Sequence, residues 1–265
     1  MFDWLNNFLI KTMGLPMVAS EHGEKIDFFI VYVHWLMLAL FLGWTGYFLY
    51  TIYRFRASNN PKASYRGVQS HASSYVEIAV AIIEVVLLLG FAIPLWANVV
   101  EDEMPDENDP TVTVVRVVGE QFFWNARYPG ADGFAAQDFR LVTADNKFGY
   151  DLEDAAGKDD AIAPQNEIHV PVGKEVIIHL SSLDVIHSFS LHAMRVGQDC
   201  IPGMSIPIHF KPHTEGTYAI TCAQLCGNGH YRMRANLTVE SQAAFEAWIV
   251  ENTPEDPAAA NQAFE

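Results

Sequence analysis

The longest stretch without a charged side chain runs from Phe28 to Tyr53 and constrains the fold more than any other feature. Its 26 residues contain no Asp, Glu, Lys or Arg. A helix needs about 20 residues to cross the ~30 Å hydrocarbon core of a bilayer, so this run predicts a membrane span. A second apolar run, Val76 to Val100, is interrupted only by Glu77 and Glu84 and predicts another span. We therefore expect a transmembrane hairpin over residues 26–100.

The charges beside these spans predict their orientation. Residues 54–75, between the spans, carry four basic side chains and no acidic one, whereas residues 101–109 are rich in Asp and Glu. Because loops rich in Lys and Arg stay in the cytoplasm, the loop should be cytoplasmic. Both termini and the domain that follows should then lie on the outer, periplasmic side of a bacterial plasma membrane.

The exported part of the chain carries the whole net charge. The protein has 32 acidic and 16 basic side chains, and residues 97–265 contain 26 and 10 of these, which accounts for the formal charge of −16. A nucleic-acid-binding surface needs the opposite sign, so nucleic acid is excluded as a partner. An acidic face attracts a basic protein partner, although the same charge also serves solubility.

Residues 1–25 are interpreted as an interfacial segment. Trp4, Leu5, Phe8 and Leu9 recur at helical spacing, as in a helix that lies on a membrane surface. A secretory signal has a basic start and a compact apolar core, which this segment lacks. A retained export signal stays an alternative.

After an acidic linker over residues 101–110, the chain reads as a small all-β domain over residues 111–240. Many short strands separated by Gly, Pro and Asp indicate a sandwich or a barrel. Residues 132–164 are polar and acidic and predict a long excursion or an irregular hairpin. A short helix over 241–252 and a disordered tail over 253–265 should follow. The predicted strands are Thr111–Val118, Phe122–Tyr128, Glu167–Val172, Glu175–Ser182, His187–Ala193, Ser205–Phe210, Thr217–Thr221 and Arg232–Val239.

One cluster of residues indicates chemistry rather than packing. It offers two thiols, two imidazoles and a thioether: Cys222, Cys226, His187, His230 and Met233. Soft sulfur with imidazole selects copper or zinc, and a weak Met ligand favours copper. A single copper with one Cys, two His and an axial Met leaves one cysteine unused. Two coppers bridged by both thiolates use every donor, with the Gln224 carbonyl as the second weak ligand. Such a site has no open position for substrate and suits electron transfer.

Two other interpretations of the cysteines stay open. Cys222 and Cys226 form an exported disulfide in one of them and a Cys2His2 zinc site in the other. Neither gives Met233 a role. Cys200 lies outside the cluster and is expected to be a small buried apolar residue. The remaining exported histidines are expected to be ordinary surface or core residues: His169, His179, His192, His209 and His213.

These features together resemble a known family. Two spans, an exported β domain, the Cys-x3-Cys-x3-His-x2-Met loop and Asp184-Val-Ile-His187 are similar to subunit II of haem–copper cytochrome c oxidases, over about Ile26 to Val239. The resemblance implies two transmembrane helices followed by an all-β, cupredoxin-like Greek-key sandwich. It also implies a dinuclear copper centre, CuA, that accepts electrons from a c-type cytochrome. The electrons pass to haem in subunit I, which reduces dioxygen to water and pumps protons. Subunit III is a further implied partner.

The resemblance implies roles for single residues as well. The copper ligands are His187, Cys222, Cys226, His230, Met233 and the carbonyl of Gln224. Glu77 stands where the family has a Glu near the mouth of a proton-uptake path. Phe122 stands where the family has the Trp that takes up electrons, and Trp124 is retained. We expect electron uptake at Phe122 or a neighbouring aromatic residue, against the simpler interpretation of a buried aromatic strand.

The chain departs from the family pattern at three further positions. Gln224 replaces a Glu that helps to bind magnesium or manganese, and a neutral amide is a poorer ligand for a hard dication. Met204 replaces an Arg, and Glu84 replaces a Pro. A carboxylate deep in a bilayer costs about 2.5–3.5 kcal/mol on insertion scales, so Glu84 should face protein or water. A membrane-tethered dicopper electron carrier that works outside an oxidase is the competing function.

Overall fold

The computed structural model describes residues 8, 10–62, 65–67, 69–98, 104–151 and 154–254. The predicted interfacial helix falls largely on residues 1–7 and 9, which lie outside the described residues. Residues 101–103 of the predicted linker and 255–265 of the predicted disordered tail also lie outside them. The chain divides into a helical unit, residues 1–15 and 25–102, and a β unit, residues 16–24 and 103–265.

The helical unit contains both predicted spans. Helix α1 is Gly23–Phe55 and helix α2 is Ala72–Ala97, and each is long and apolar enough to cross a membrane. The helices run antiparallel, since Tyr32 of α1 stacks on Phe91 of α2 with ring centroids 5.6 Å apart. Residues Leu88–Ala92 form a π-helical turn inside α2, just before Pro94. A π turn of this kind is a local irregularity in an otherwise α-helical span.

The β unit is a sandwich of two five-stranded sheets. In chain order the strands are β1 (Thr113–Glu120), β2 (Phe123–Tyr128), β3 (Ala161–Ile162), β4 (Glu167–Pro171), β5 (Val176–Ser182), β6 (His187–Leu191), β7 (Val196–Cys200), β8 (Ile206–Phe210), β9 (Gly216–Cys222) and β10 (Arg234–Glu240). The first sheet has the order β3-β2-β1-β5-β8, and the second has the order β4-β10-β9-β6-β7. Helix α3, Gln242–Asn252, follows β10. Ser241 caps its N-terminus, since the Ser241 side chain accepts a hydrogen bond from the N–H of Ala244. The predicted fold class is therefore confirmed.

The strand pleat decides which side chains enter the core. Successive residues of a strand point to opposite faces, and in β9 the buried positions are Tyr218, Ile220 and Cys222. Cys222 is thus the last inward-facing residue of its strand. The interior between the sheets also contains Trp124 and Phe189, both almost fully buried. The alternation that forms the core therefore places one candidate metal ligand inside the sandwich.

All eight predicted strands are present, with ends shifted by a few residues, and two strands were missed. β3 has only two residues, which is too short to produce a periodic pattern. β7 reads Val-Gly-Gln-Asp-Cys and lies at the edge of its sheet. Gly and Asp are depleted in strands, so its composition favours a loop.

Two further segments of the chain pack against the strands of the β unit. The expected excursion over residues 132–164 contains short 3₁₀ turns and β3 among its described residues. Near the N-terminus, residues 16–24 lie on the sandwich, because Ala19 N donates to Ala193 O at 2.8 Å and Glu21 N to Lys211 O at 3.1 Å. The interfacial interpretation of residues 1–25 did not anticipate this contact.

Candidate metal centre

The candidate ligands converge at one end of the second sheet. Strand β9 ends at Cys222 and β10 begins at Arg234, so residues 223–233 form the hairpin loop between them. The loop is closed by a hydrogen bond from Cys222 N to Met233 O, 3.1 Å long. Strand β6 begins at His187 and pairs with β9 in the antiparallel sense. Antiparallel pairing brings the start of β6 to the end of β9, which places His187 beside the loop.

The two sulfur atoms form the centre of the cluster, and each has its own pair of neighbours. Cys222 Sγ lies 3.9 Å from His187 Nδ1 and 3.2 Å from the Gln224 carbonyl oxygen. Cys226 Sγ lies 3.6 Å from His230 Nδ1 and 3.7 Å from Met233 Sδ. The two Sγ atoms are 3.9 Å apart. All six candidate ligand atoms therefore come together, as two similar halves that meet at the thiols.

These distances exclude the disulfide interpretation of the cysteines. A disulfide has an S–S bond of about 2.05 Å, so at 3.9 Å the thiols are not bonded to each other. A metal–thiolate bond is about 2.3 Å long, so one ion can bind both sulfurs when they are less than about 4.6 Å apart. Each sulfur also has an imidazole and a weak donor beside it. The donor set fits two soft ions and gives Met233 and the Gln224 carbonyl a role.

Three of the candidate ligands are almost fully buried. His187 is 0% exposed, Cys226 4% and Met233 2%. Burial, together with the neighbouring Cys222 thiol, raises the pKa of Cys226 to about 11. A thiol in such surroundings stays protonated until a metal ion supplies positive charge, and a coordinating thiol is then deprotonated. Without a metal ion the Cys226 thiol is therefore neutral, and it would lose its proton on binding one.

Asp184 orients the imidazole of His187. His187 Nε2 donates to Asp184 Oδ1 at 2.9 Å, which leaves Nδ1 available as a ligand. The same carboxylate accepts hydrogen bonds from Gln121 N at 2.8 Å and from Val185 N at 2.7 Å. Burial alone would raise the pKa of Asp184, but these hydrogen bonds outweigh it and lower the pKa. Asp184 is thus an ionised acceptor for the imidazole N–H.

Gly119 lies where two side chains approach the β1 backbone closely. A Cβ atom at this position would lie 3.1 Å from Cδ2 of His187 and 3.2 Å from Cζ3 of Trp124. A glycine inside a strand often marks such a contact, and this was the only signal in the sequence. Sequence reasoning missed Gly119 and Gln121 as part of the site, and it noted Asp184 only as part of a motif.

The two candidate aromatic residues for electron uptake have different surroundings. Trp124 is 1% exposed and meets Phe189 edge-on at 5.5 Å and His187 at 6.1 Å between ring centroids. Phe122 is half-buried against the ligand loop, where a Cβ at Gly229 would overlap its ring. Trp124 is therefore a core residue beside a ligand, whereas Phe122 reaches the surface.

The other side chains singled out in the sequence are not among the candidate ligands. Cys200 is fully buried opposite His187 in the β6–β7 pair, and burial raises its pKa to about 12. That agrees with the expected role of a small buried residue. Met204 is half-exposed, and Glu77 and Glu84 are exposed on α2 in the helical unit. The side chain of Gln224 is exposed, while its carbonyl contacts Cys222.

Comparison with known proteins points to one family. Residues 113–241 match the protein-family model described as cytochrome c oxidase subunit II, periplasmic domain. The alternative cytochrome c oxidase subunit 2 of Bradyrhizobium diazoefficiens is 29% identical over 233 residues, 88% of this chain and 81% of that protein. Cytochrome c oxidase subunit 2 of Cereibacter sphaeroides is 29% identical over 249 residues, 89% and 78% of the two chains. Among solved structures, the periplasmic domain of subunit II of the Bradyrhizobium japonicum cytochrome oxidase matches 56% of this chain and 96% of its own, at 28% identity and a TM-score of 0.41.

Proposed function

We propose that the chain is a member of the cytochrome c oxidase subunit II family, as its match over residues 113–241 and its relatives at 29% identity support, and that it is the electron-accepting subunit of a haem–copper oxidase. The observation that carries the proposal is the pair of buried thiols 3.9 Å apart, each with its own imidazole and its own weak donor. A metal site that only transfers electrons needs no coordination position open to substrate. In this arrangement, protein groups account for every proposed ligand.

The proposed ligands divide between two copper ions. His187 and the Gln224 carbonyl would hold one ion, His230 and Met233 would hold the other, and the thiolates of Cys222 and Cys226 would contribute to both. When bound, the copper pair supplies a one-electron carrier whose unpaired electron is shared between the two ions. The protein keeps water away from the sulfurs through burial, and Asp184 fixes the orientation of the His187 imidazole.

The proposed electron path enters beside the loop. Phe122 is better placed than Trp124 to meet a c-type cytochrome, because Trp124 is enclosed in the core. The loop also presents Leu225, 78% exposed, and Tyr231, 86% exposed. Large exposed apolar side chains at one site are typical of contact surfaces. Electrons then pass to haem in subunit I.

The helical unit is proposed to anchor the chain in a bacterial plasma membrane. The basic residues between α1 and α2 support a cytoplasmic loop, which leaves the copper domain on the periplasmic side. Glu77 lies in the second turn of α2, at the cytoplasmic end in this orientation. That position supports a role in proton uptake into subunit I. Gln224 gives no support for magnesium or manganese.

Metal analysis of the purified full-length chain tests the proposal directly. We expect two copper ions per chain and an electron paramagnetic resonance spectrum of one electron shared by both. A single zinc ion per chain would contradict it. Purification from native membranes separates the competing function: a stable complex with a haem-bearing, many-helix subunit supports the oxidase, and a lone dicopper protein supports the tethered carrier.

Met233→Leu should preserve both copper ions and raise the reduction potential. A thioether donates electron density and so stabilises the more highly charged oxidised state, and its removal favours reduction. A contact worth about 1 kcal/mol corresponds to roughly 40 mV for a one-electron couple. Redox titration followed by visible absorption measures the shift. Met204→Leu is the matched control, because Met204 is half-exposed and is not one of the candidate ligands, and an equal shift in that variant would refute the axial role.

Glu77→Gln should slow steady-state oxygen consumption of the complex by about tenfold without changing its copper content. A neutral amide keeps the shape of the side chain but cannot carry a proton, and positioned proton donors and acceptors contribute factors of this size or more. Oxygen electrode rates and metal analysis on the same preparation measure both quantities. Turnover equal to that of the unmodified complex would remove Glu77 from the proton path.

A further inference from the structure

A two-residue turn outside the ligand set contacts both halves of the metal centre. Strands β1 and β2 pair as far as Glu120 and Phe123, so Gln121 and Phe122 alone form the turn between them. This turn belongs to the first sheet. The candidate ligands lie in the second sheet and in its β9–β10 loop. Contacts made by the turn therefore join the two sheets at the metal centre.

Gln121 makes one hydrogen bond to each half of the centre. Its backbone N–H donates to Asp184 Oδ2 at 2.8 Å, and Asp184 holds His187 through its other oxygen. Its side-chain Nε2 donates to the backbone carbonyl of Cys226 at 2.5 Å. The His187 imidazole lies beside the Cys222 sulfur in one half of the centre, whereas the Cys226 sulfur belongs to the other half. One residue thus connects an imidazole of one half to the main chain of the other.

The loop leaves room for this contact through two glycines. A Cβ atom at Gly227 would lie 2.7 Å from Gln121 Nε2, and one at Gly229 would overlap the ring of Phe122. Gly227 also has φ of +133°, a conformation that side chains disfavour. The backbone on the C-terminal side of Cys226 therefore lies directly against the turn.

Without the turn, the loop would be held mainly at its ends. Cys222 N bonds Met233 O at one end, and Ala223 N bonds Ser188 O beside it. The bonds from His230 N to Gly227 O and from Met233 N to His230 O lie inside the loop and do not fix it to the sheets. The amide of Gln121 holds the middle of the loop, at Cys226, from outside.

We propose that Gln121 is a positioning residue that keeps the Cys226 half of the metal centre in register with the His187 half. The inference rests on the proposed two-metal function. A carrier that gains and loses an electron works best when its ligands keep the same geometry in both oxidation states. Gln121 provides this by fixing the Cys226 main chain and the carboxylate partner of His187 to the same two-residue turn.

Hydrogen exchange of the metal-free, reduced full-length chain in detergent tests the positioning role without any copper. The variants are Gln121→Ala and Gln121→Glu, and the second keeps the size of the side chain but offers no N–H to the Cys226 carbonyl. In both, we expect exchange in residues 223–233 to quicken about fivefold, the equivalent of a hydrogen bond worth about 1 kcal/mol. Gln242→Ala is the control, because Gln242 begins α3 and its amide contacts Glu246.

Copper loading gives a second readout, in which the absorption bands report the geometry of the ligands and not the general stability of the chain. Both Gln121 variants should bind copper about tenfold more weakly, as is usual when a partner of a metal ligand is removed, with shifted thiolate-to-copper absorption bands. Exchange and absorption equal to those of the unmodified chain would overturn the proposal, as would a change in Gln121→Ala that Gln121→Glu does not share. If the unmodified chain fails to bind two coppers, the proposed function fails, whereas the exchange result still decides the role of the turn.

Discussion

Cys226→Ser is expected to abolish the shared-electron spectrum and to leave at most one copper ion per chain. Serine keeps the shape of cysteine but replaces a soft sulfur with a hydroxyl, which is a poor ligand for copper and is not deprotonated at neutral pH. In the structure Cys226 contacts the other sulfur, one imidazole and the thioether. The substitution therefore removes a bridge from both ions at once, whereas Met233→Leu removes one weak donor from one ion.

Metal analysis and electron paramagnetic resonance on the same sample measure the outcome. The matched control is Cys200→Ala, since Cys200 is equally buried but is not one of the groups that lie within 4.8 Å of one another at the centre. Cys200→Ala should retain two copper ions and the seven-line electron paramagnetic resonance signal of one electron shared by both. A seven-line signal that persists in Cys226→Ser would rule out the bridging arrangement.

The candidate cluster was predictable because its chemistry is unusual in sequence. Two cysteines, a histidine and a methionine at short spacing, with His187 upstream, have no packing explanation, and the β9–β10 hairpin and the pairing of β6 with β9 bring them together. Trp124 was harder to interpret, because an aromatic residue in a strand suits either a surface or a core. Only its position between the sheets, against His187 and Phe189, shows that it is enclosed.

The supporting residues were not predictable for a different reason. The side chain of Gln121 donates to a backbone carbonyl 105 residues away, and an exposed glutamine in a turn gives no sign of such a partner. Gly119 matters only because two side chains approach it closely. His187 does so from a strand of the other sheet, and Trp124 from the other strand of the same hairpin. These roles depend on how the two sheets pack, and the pattern of any single strand contains no information on that packing.

The excursion over residues 132–164 depends on a buried ion pair. Arg127 of β2 donates from Nε to Asp160 Oδ2 at 2.7 Å, and the two side chains are 5% and 0% exposed. Arg127 Nη2 also donates to Gly157 O, and Asp160 Oδ1 accepts from Gly130 N at 2.9 Å. The guanidinium lies 4.6 Å from the centre of the Tyr150 ring. Both ends of the excursion are therefore fastened by the same pair of charges.

Asp160→Ala should destabilise the folded chain by about 3–5 kcal/mol, because it leaves the buried guanidinium of Arg127 without a counter-charge. For a domain of this size, each kcal/mol lowers the melting temperature by roughly 2–4 °C, so a decrease of about 10 °C is expected. Thermal unfolding of the full-length chain in detergent, followed by tryptophan fluorescence, measures it. Arg140→Ala is the control, since the Arg140–Asp138 pair is largely exposed and an exposed pair is worth at most about 1 kcal/mol. Equal melting temperatures for the two variants would show that the buried pair is no stronger than the exposed one, and the excursion would then be held mainly by its apolar contacts around Tyr150.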